Sequence, residues 1–276
     1  MKKLSVLLVM MFVVCIYSVN AQKFEKVWET TVELKTPESV LFDEDQNVMY
    51  VSNINGDPAQ KSGKGFISIL NADGSAKDLH WVQNLNAPKG MAISKGKLYV
   101  SAIDQLVEID LKSGKITNKF DASNAVFLND VAASDDGLIF VSDTRTAKIH
   151  VLKDGKLNEW MSGKPLETPN GLFVENGKLY IGDQSIFEAD IKTKNIKEII
   201  SDAGGVDGLE KNKEGEFVFS NWPGRVFIHR NGKTIQLLDT TEQEIKTADL
   251  DYSFRLNQIL IPTFFDNRIV AYRIID

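Results

Sequence analysis

Short apolar runs recur along this chain with turn residues between them, and helical periodicity is weak throughout. Four stretches carry the pattern most clearly: "PESVLFDEDQNVMYVSN", "LNDVAASDDGLIFVSD", "TPNGLFVENGKLYIGD" and "VDGLEKNKEGEFVFSN". In each, an oxygen-bearing residue stands two places ahead of an apolar residue, and a second apolar run follows a turn. Alignment on that apolar residue brings Val40, Met91, Val131, Leu172, Leu209 and Leu250 into register, at intervals of 51, 40, 41, 37 and 41 residues. The second runs are "VMYVS", "KLYVS", "LIFVS", "KLYIG", "EFVFS" and "QILIP". Asp136-Gly137, Asn176-Gly177 and Glu214-Gly215 separate the first and second runs, where Gly and Asn tolerate the positive φ of a tight reversal. Third runs follow ("GFISIL", "QLVEID", "KIHVL", "SIFEAD", "RVFIH", "RIVAY"), and most units add an outer run such as "LNEWM" or "TIQLL".

Four strands in a unit of about 42 residues form the signature of a β-propeller blade. Six blades need about 250 residues, so an all-β, six-bladed propeller of four-stranded antiparallel blades is expected over residues 22–276. The last unit, from Ala248 to Ile275, supplies only three clear strands. The lone run "FEKVWETTVEL" is therefore expected to complete that blade as its outer strand, which closes the ring and covers an edge. A trypsin-like barrel or two-sheet sandwich would not produce a sixfold repeat.

The start, "MKKLSVLLVMMFVVCIYSVNAQ", has a basic head, an apolar run and small residues at Val19-Asn20-Ala21. Residues 1–21 read as a signal peptide and the mature protein as exported, periplasmic or secreted. An uncleaved anchor is the alternative. A lipoprotein reading at Cys15 fails on the bulky Val14 before it. Cys15 is the only cysteine, so the mature chain holds no disulfide and depends on burial. Removing Lys2 and Lys3 moves the net charge from −6 to −8. Basic runs interleaved with aromatics are absent, which argues against nucleic acid as a partner. A second span of membrane length is also absent once the signal is removed. A monomer is expected.

A propeller turns the repeat into geometry, because the first strand of every blade lines one channel. The residues two before the registered position are Glu38, Lys89, Asn129, Asn170, Asp207 and Ala248. Four of them offer oxygen ligands, two as carboxylates. Such a set suits one divalent ion, Ca²⁺ first, Mg²⁺ or Mn²⁺ less well, and Zn²⁺ least, since zinc favours nitrogen and sulfur. Polar residues also line wet channels without any metal, and Asn and Asp favour loop-to-strand steps by themselves. Both explanations stay open on the repeat alone.

These motifs resemble the senescence marker protein / gluconolactonase family of six-bladed propellers. "PESVLFDEDQNVMYVSN" resembles its first-blade step and "LNDVAASDDGLIFVSDT" its Asn-Asp step. "PNGLFVENGKLYIGD" resembles its Pro-Asn-Gly-Leu step, and "VDGLEKNKEGEFVFSNWPGRV" its Asp-Gly step with a Gly-Arg-Val strand beyond. The resemblance spans nearly all of the mature chain. It implies metal ligands at Glu38, Asn129, Asn170 and Asp207, the four residues the repeat alignment also selects. It further implies hydrolysis of a lactone, typically a sugar lactone, with Asp207 as the catalytic base or the group that orients water.

Two positions depart from that pattern. Phe127 stands where the family's lactonases commonly carry an arginine that contacts sugar. Lys89 places an ammonium beside the cation site, where it would pair with Glu38 or clamp an anionic substrate. Asp130 is expected to support the site, and Trp222 to wall the pocket. Asp143 and Asp183 end second strands near the same face. His80, His150 and His229 fall at unrelated positions and read as structural or surface residues. The sequence has no Gly-x-Ser-x-Gly elbow and no Gly-rich phosphate loop, and a Ser-His-Asp triad would lack an axial histidine. The leading expectation is thus a metal-dependent lactonase acting on a lactone or sugar derivative. The alternatives are a non-catalytic propeller that binds a small molecule, sugar or protein, and a phosphotriesterase-like hydrolase on the same scaffold.

Overall fold

A computed structural model describes residues 23–275; the expected signal peptide lies outside the described residues. Strand β1 (Lys23–Glu29) comes first, and five blades then follow in strict order. Blade 1 comprises β2 (Pro37–Asp43), β3 (Val48–Asn53), β4 (Gly65–Asn71) and β5 (Ala76–Leu85). Blade 2 comprises β6 (Pro88–Ser94), β7 (Lys97–Ala102), β8 (Gln105–Asp110) and β9 (Ile116–Asp121). Blade 3 comprises β10 (Leu128–Ala133), β11 (Ile139–Asp143), β12 (Lys148–Lys153) and β13 (Lys156–Ser162). Blade 4 comprises β14 (Leu172–Glu175), β15 (Lys178–Gly182), β16 (Ile186–Asp190) and β17 (Ile196–Ile200). Blade 5 comprises β18 (Leu209–Lys211), β19 (Phe217–Asn221), β20 (Arg225–Arg230) and β21 (Lys233–Asp239).

Blade 6 runs β22 (Asp251–Ser253), β23 (Gln258–Pro262) and β24 (Ile269–Ile275), with β1 antiparallel outside β24. The fold is thus an all-β, six-bladed propeller of four-stranded antiparallel blades, closed by its N-terminal strand. The closing strand is held by side chains as well as by its ladder. Phe24 stacks on Tyr272 at 4.5 Å, and the Trp28 indole donates to Gln258 at 3.1 Å. Glu29 pairs with Arg268 at 2.5 Å.

Each blade is covered on both faces by its neighbours. Its central strands therefore read as continuous apolar runs, without the alternation of a half-solvated sheet. Strands β3, β11 and β23 are buried along their whole length. The core consists of wedges between blades. Val48, Tyr50 and Ile67 of blade 1 pack on Leu98 and Val100 of blade 2, and Val40 and Met49 pack on Leu260 and Ala271 of blade 6. Near the axis Ile54, Ala87, Ala248 and Phe264 form a small separate cluster.

The inner strands depart from the regular picture. Register shifts interrupt the inner pairing between Pro37 and Ser39, between Pro88 and Met91, and between Leu128 and Val131. In blades 5 and 6 the inner strand shrinks to three residues. A bulge re-aims side chains locally and leaves backbone groups unpaired. The repeated serine of the second run meets that need. Ser52 Oγ accepts from Ser39 N at 3.0 Å, Ser142 Oγ from Asp130 N at 2.9 Å, and Ser220 Oγ from Gly208 N at 2.8 Å. All three serines are fully buried. Neighbouring inner strands also approach closely here. A Cβ on Gly208 would lie 2.2 Å from Leu250 N, and one on Gly171 would lie 2.4 Å from Asp207 O, so a side chain fits at neither.

Candidate functional site

In blades 2 to 5 the residue after the axial polar one, Gly90, Asp130, Gly171 or Gly208, sits against the next blade. Glu38, Lys89, Asn129, Asn170 and Asp207 together line one cavity of about 380 Å³. Phe127 and Trp222 line it too. Asp130 does not: its carboxylate accepts from Leu172 N and Val131 N, both at 2.6 Å, and so ties blade 3 to blade 4 beneath the site. A larger cavity of about 460 Å³ lies between blades 1 and 2 and contains none of the axial residues. We take the axial one as the candidate site, because it combines apolar walls with a few convergent polar groups.

The loops that deliver the axial oxygens share one clamp. Asn53, Asp143 and Asn221 end the second strands of blades 1, 3 and 5, Asp183 directly follows that of blade 4, and all are buried. Asn53 Oδ1 accepts from Lys35 N at 2.9 Å, just upstream of Glu38. Asp143 accepts from Val126 N and Phe127 N at 2.9 and 3.1 Å, just upstream of Asn129. Asp183 accepts from Glu167 N and Thr168 N at 2.8 and 3.0 Å, ahead of Asn170. Asn221 Nδ2 donates to Ala203 O and Gly205 O at 3.1 and 2.8 Å, ahead of Asp207. Blades 2 and 6 have Ala102 and Thr263 at this position, and their axial residues are Lys89 and Ala248. The clamp thus occurs in the four blades that present oxygen. Sequence reasoning singled out Asp143 and Asp183 but missed the fourfold rule, although "VSN", "VSD", "IGD" and "FSN" all end on Asx.

The two amides are oriented by their nitrogens. Asn170 Nδ2 donates to Asp207 Oδ1 at 2.6 Å, and Asn129 Nδ2 donates to Thr144 Oγ1 at 3.2 Å. Thr144 Oγ1 in turn donates to Pro169 O at 2.9 Å, which links blade 3 to the loop bearing Asn170. With both nitrogens engaged, the amide oxygens are the groups left for a ligand. Thr144 was not foreseen, although it sits in the quoted "VSDT".

The electrostatics are those of buried carboxylates crowded around one channel. Burial is the leading cause in each case. It raises Glu38 well above the usual carboxylate range, with the nearby Asp207 charge adding to the effect and Lys89 opposing it. Burial pushes Asp207 to about 7 against the Asn170 hydrogen bond, and Asp130 to about 7 against its two backbone donors. Deeper in the channel Glu210 and Asp249 are raised for the same reason. Lys89 is 1% exposed and donates to Ala87 O at 3.1 Å. Its Nζ lies 4.4 Å from the centre of the Phe127 ring. Desolvation lowers it to about 8, against the attraction of Glu38.

A resident cation fits this donor set. Glu38 Oε2 is buried and has no hydrogen-bond partner, which is costly for a carboxylate unless a positive charge meets it. Two carboxylates and two amide oxygens form a hard set without His or Cys. Among the described residues, no three His, Cys, Asp or Glu side chains are grouped to hold a metal, so any ion here must use the amides as well. None of the three histidines lines the cavity: His80 packs on Phe66, His150 is buried in β12, and His229 meets Thr234.

Neither the protein-family profiles nor the curated proteins contain a match to this sequence. Many solved structures share the fold. The chain superposes on a catalytically inactive histidine-to-alanine variant of virginiamycin B lyase from Staphylococcus aureus, solved with quinupristin. The TM-score is 0.65 at 13% identity, over 92% of this chain and 100% of the other. A protein described only as a candidate gluconolactonase gives a TM-score of 0.66 at 14% identity, over 92% and 93% of the two chains. A protein of unknown function from Bacteroides thetaiotaomicron gives 0.69 at 11%, over 92% and 76%. At such identities the likeness is one of fold. The matched structures differ in what they are described to do, so the fold does not choose an activity.

Proposed function

We propose that this protein is a metal-dependent hydrolase of a lactone, with one divalent ion, Ca²⁺ by preference, held by Glu38, Asn129, Asn170 and Asp207. The observation that carries the reading is the buried, unpartnered Glu38 Oε2 at the mouth of a cavity shared by the other three ligands. When bound, such an ion supplies Lewis-acid polarisation of an ester carbonyl. Asn170 holds Asp207 at 2.6 Å, so this carboxylate is positioned to orient a water and accept its proton. The apolar side chains of Ile54, Phe127 and Phe264 wall the space beside these oxygens. The gluconolactonase-like structure supports this reading. In virginiamycin B lyase a histidine-to-alanine change inactivates the protein, whereas the cavity here contains no histidine.

Turnover of a lactone panel should require added calcium, stop with chelator, and fall by a factor of about 10² or more in Asp207→Asn. Asn170→Ala should weaken calcium binding by elemental analysis and calorimetry. A protein that binds no ion and hydrolyses no lactone or aryl ester at any metal setting would sink the proposal. A second reading, a non-catalytic propeller that binds an anionic ligand, is favoured by Lys89, whose ammonium occupies the same cavity at the axial height.

A further inference from the structure

We infer that this site takes a lactone bearing an apolar arm, aryl or alkyl, and not a polyhydroxylated sugar ring. The reaction rests on the hydrolase reading above; the preference rests on the cavity wall alone. The wall is built of Ile54, Pro58, Phe127, Trp222, Phe264 and Phe265. Apart from the indole N–H of Trp222, these side chains offer no hydrogen-bonding group. The remaining lining groups are the four axial oxygen residues, which the reading already employs, and the Lys89 ammonium, which donates to Ala87 O and lies over the Phe127 ring. A sugar lactone carries a hydroxyl on most ring carbons. Each one turned to this wall would lose its water without gaining a partner, at a cost of about tenfold in affinity or more.

The wall is also ordered in advance. Trp222 follows β19, and Phe264 and Phe265 belong to the 3₁₀ turn Phe264–Asp266 between β23 and β24. The three rings meet edge to face: Trp222 is 5.7 Å from Phe264 and 6.4 Å from Phe265, and the two phenylalanines are 4.7 Å apart. Phe264 has φ +53°, a conformation that a bulky side chain adopts only where its surroundings impose it. That turn buries Phe264 in the axial cluster and leaves Phe265 59% exposed beside Trp222, which is 41% exposed. Two large rings held open at a cavity mouth form an exposed apolar patch of the kind that marks a binding surface. Cations brace them. Lys246 Nζ lies 4.7 Å from the Trp222 ring centre, and Arg145 Cζ lies 4.3 Å from that of Phe127. Rings fixed in this way need little ordering when a ligand binds.

The test compares glucono-δ-lactone, unsubstituted δ-valerolactone and its phenyl- and hexyl-substituted forms, assayed on the mature chain with calcium. The phenyl and hexyl lactones should show kcat/KM at least about tenfold above the other two. Trp222→Ala and Phe265→Ala should each lower the phenyl-to-unsubstituted ratio about fivefold, mainly through KM, and Trp222→Phe should recover most of it. A second arm uses the phenyl-substituted and unsubstituted δ-lactams, which resist hydrolysis, with binding read by tryptophan fluorescence and calorimetry. The phenyl lactam should bind about tenfold tighter, and Phe265→Ala should erase the difference. Preferential turnover of the sugar lactone, or equal binding of the two lactams, overturns the inference. If no lactone is turned over but the phenyl lactam is still preferred, only the hydrolase reading falls and the apolar-arm ligand stands. Neither turnover nor lactam binding would overturn both.

Discussion

At the scale of single residues, the axial positions matter less for their own chemistry than for what holds them. Ser220 shows why. Its Oγ accepts from Gly208 N at 2.8 Å and donates to Ala248 O at 2.7 Å, so one buried hydroxyl serves the inner backbone of blades 5 and 6. Ser220→Ala strands a donor and an acceptor away from water. It should cost about 2 kcal/mol, or roughly 4–8 °C in Tm, by urea and thermal denaturation. A loss below about 0.5 kcal/mol would show that water replaces the hydroxyl and that the bulge needs no dedicated partner. The oxygen residues themselves were legible in the sequence because a repeat places equivalent positions at one height. Their supports were less so. The serine of the second run recurs in blades 1, 2, 3 and 5, and the Asx after it in blades 1, 3, 4 and 5, as visibly as Asn170 does. What they bond to depends on bulges that arise when six inner strands crowd one axis. Phe264 and Phe265 left no periodic signal at all, since they sit in a turn of one blade only and owe their placement to a positive φ.

At the scale of elements, the sequence was most informative where strands are buried on both faces. The runs "KLYVS", "KLYIG" and "QILIP" each coincide with a strand or fall within one, and those strands pack between neighbouring blades. The inner strands were harder to delimit. In blade 5 the inner strand shortens to Leu209–Lys211, although Asp207 N still donates to Ser220 O at 2.8 Å and Ser220 N to Gly208 O at 3.0 Å. The closing strand was readable for a different reason: the last unit lacked a fourth run and the chain began with a spare one. Its contribution can be measured. Removing residues 22–30 would expose the whole of β24 and unstack Tyr272 from Phe24. It would also leave Arg268 without Glu29. The truncated chain should lose several kcal/mol in urea denaturation, and should self-associate on size exclusion through its open edge. A truncated protein that stays monomeric with an unchanged midpoint would mean that the ring is held by its inter-blade wedges alone.

At the scale of the whole molecule, two populations of carboxylates pull stability in opposite directions with pH. On the outside, Asp110 and Asp239 are held near 2, chiefly by the hydroxyl hydrogen bonds of Ser113 and Thr241. Native groups lowered in this way bind fewer protons than the unfolded chain. Their stabilisation is therefore full above the ordinary Asp range and is lost as pH falls toward 2. In the channel, burial raises Asp251 to about 6 and Asp130 and Asp207 to about 7. These bind more protons in the native state, so their contribution is full at low pH and is lost as pH rises through 4 to 7. For Asp251 alone the loss is on the order of 2–3 kcal/mol. The metal-free protein should therefore be most stable near about pH 4–5 and weaken toward neutrality. A cation on the proposed ligands would cancel much of the repulsion and stabilise the native state by about 2.7 kcal/mol at a hundredfold excess over its Kd. Thermal unfolding between pH 4 and 8, in chelator and in millimolar calcium, separates the cases. The chelated protein should show a falling limb above pH 5, and calcium should flatten it. A chelated protein whose Tm climbs steadily to pH 7.5 would mean that the channel carboxylates are neutralised by something other than an ion, and Lys89 would be the first side chain to replace.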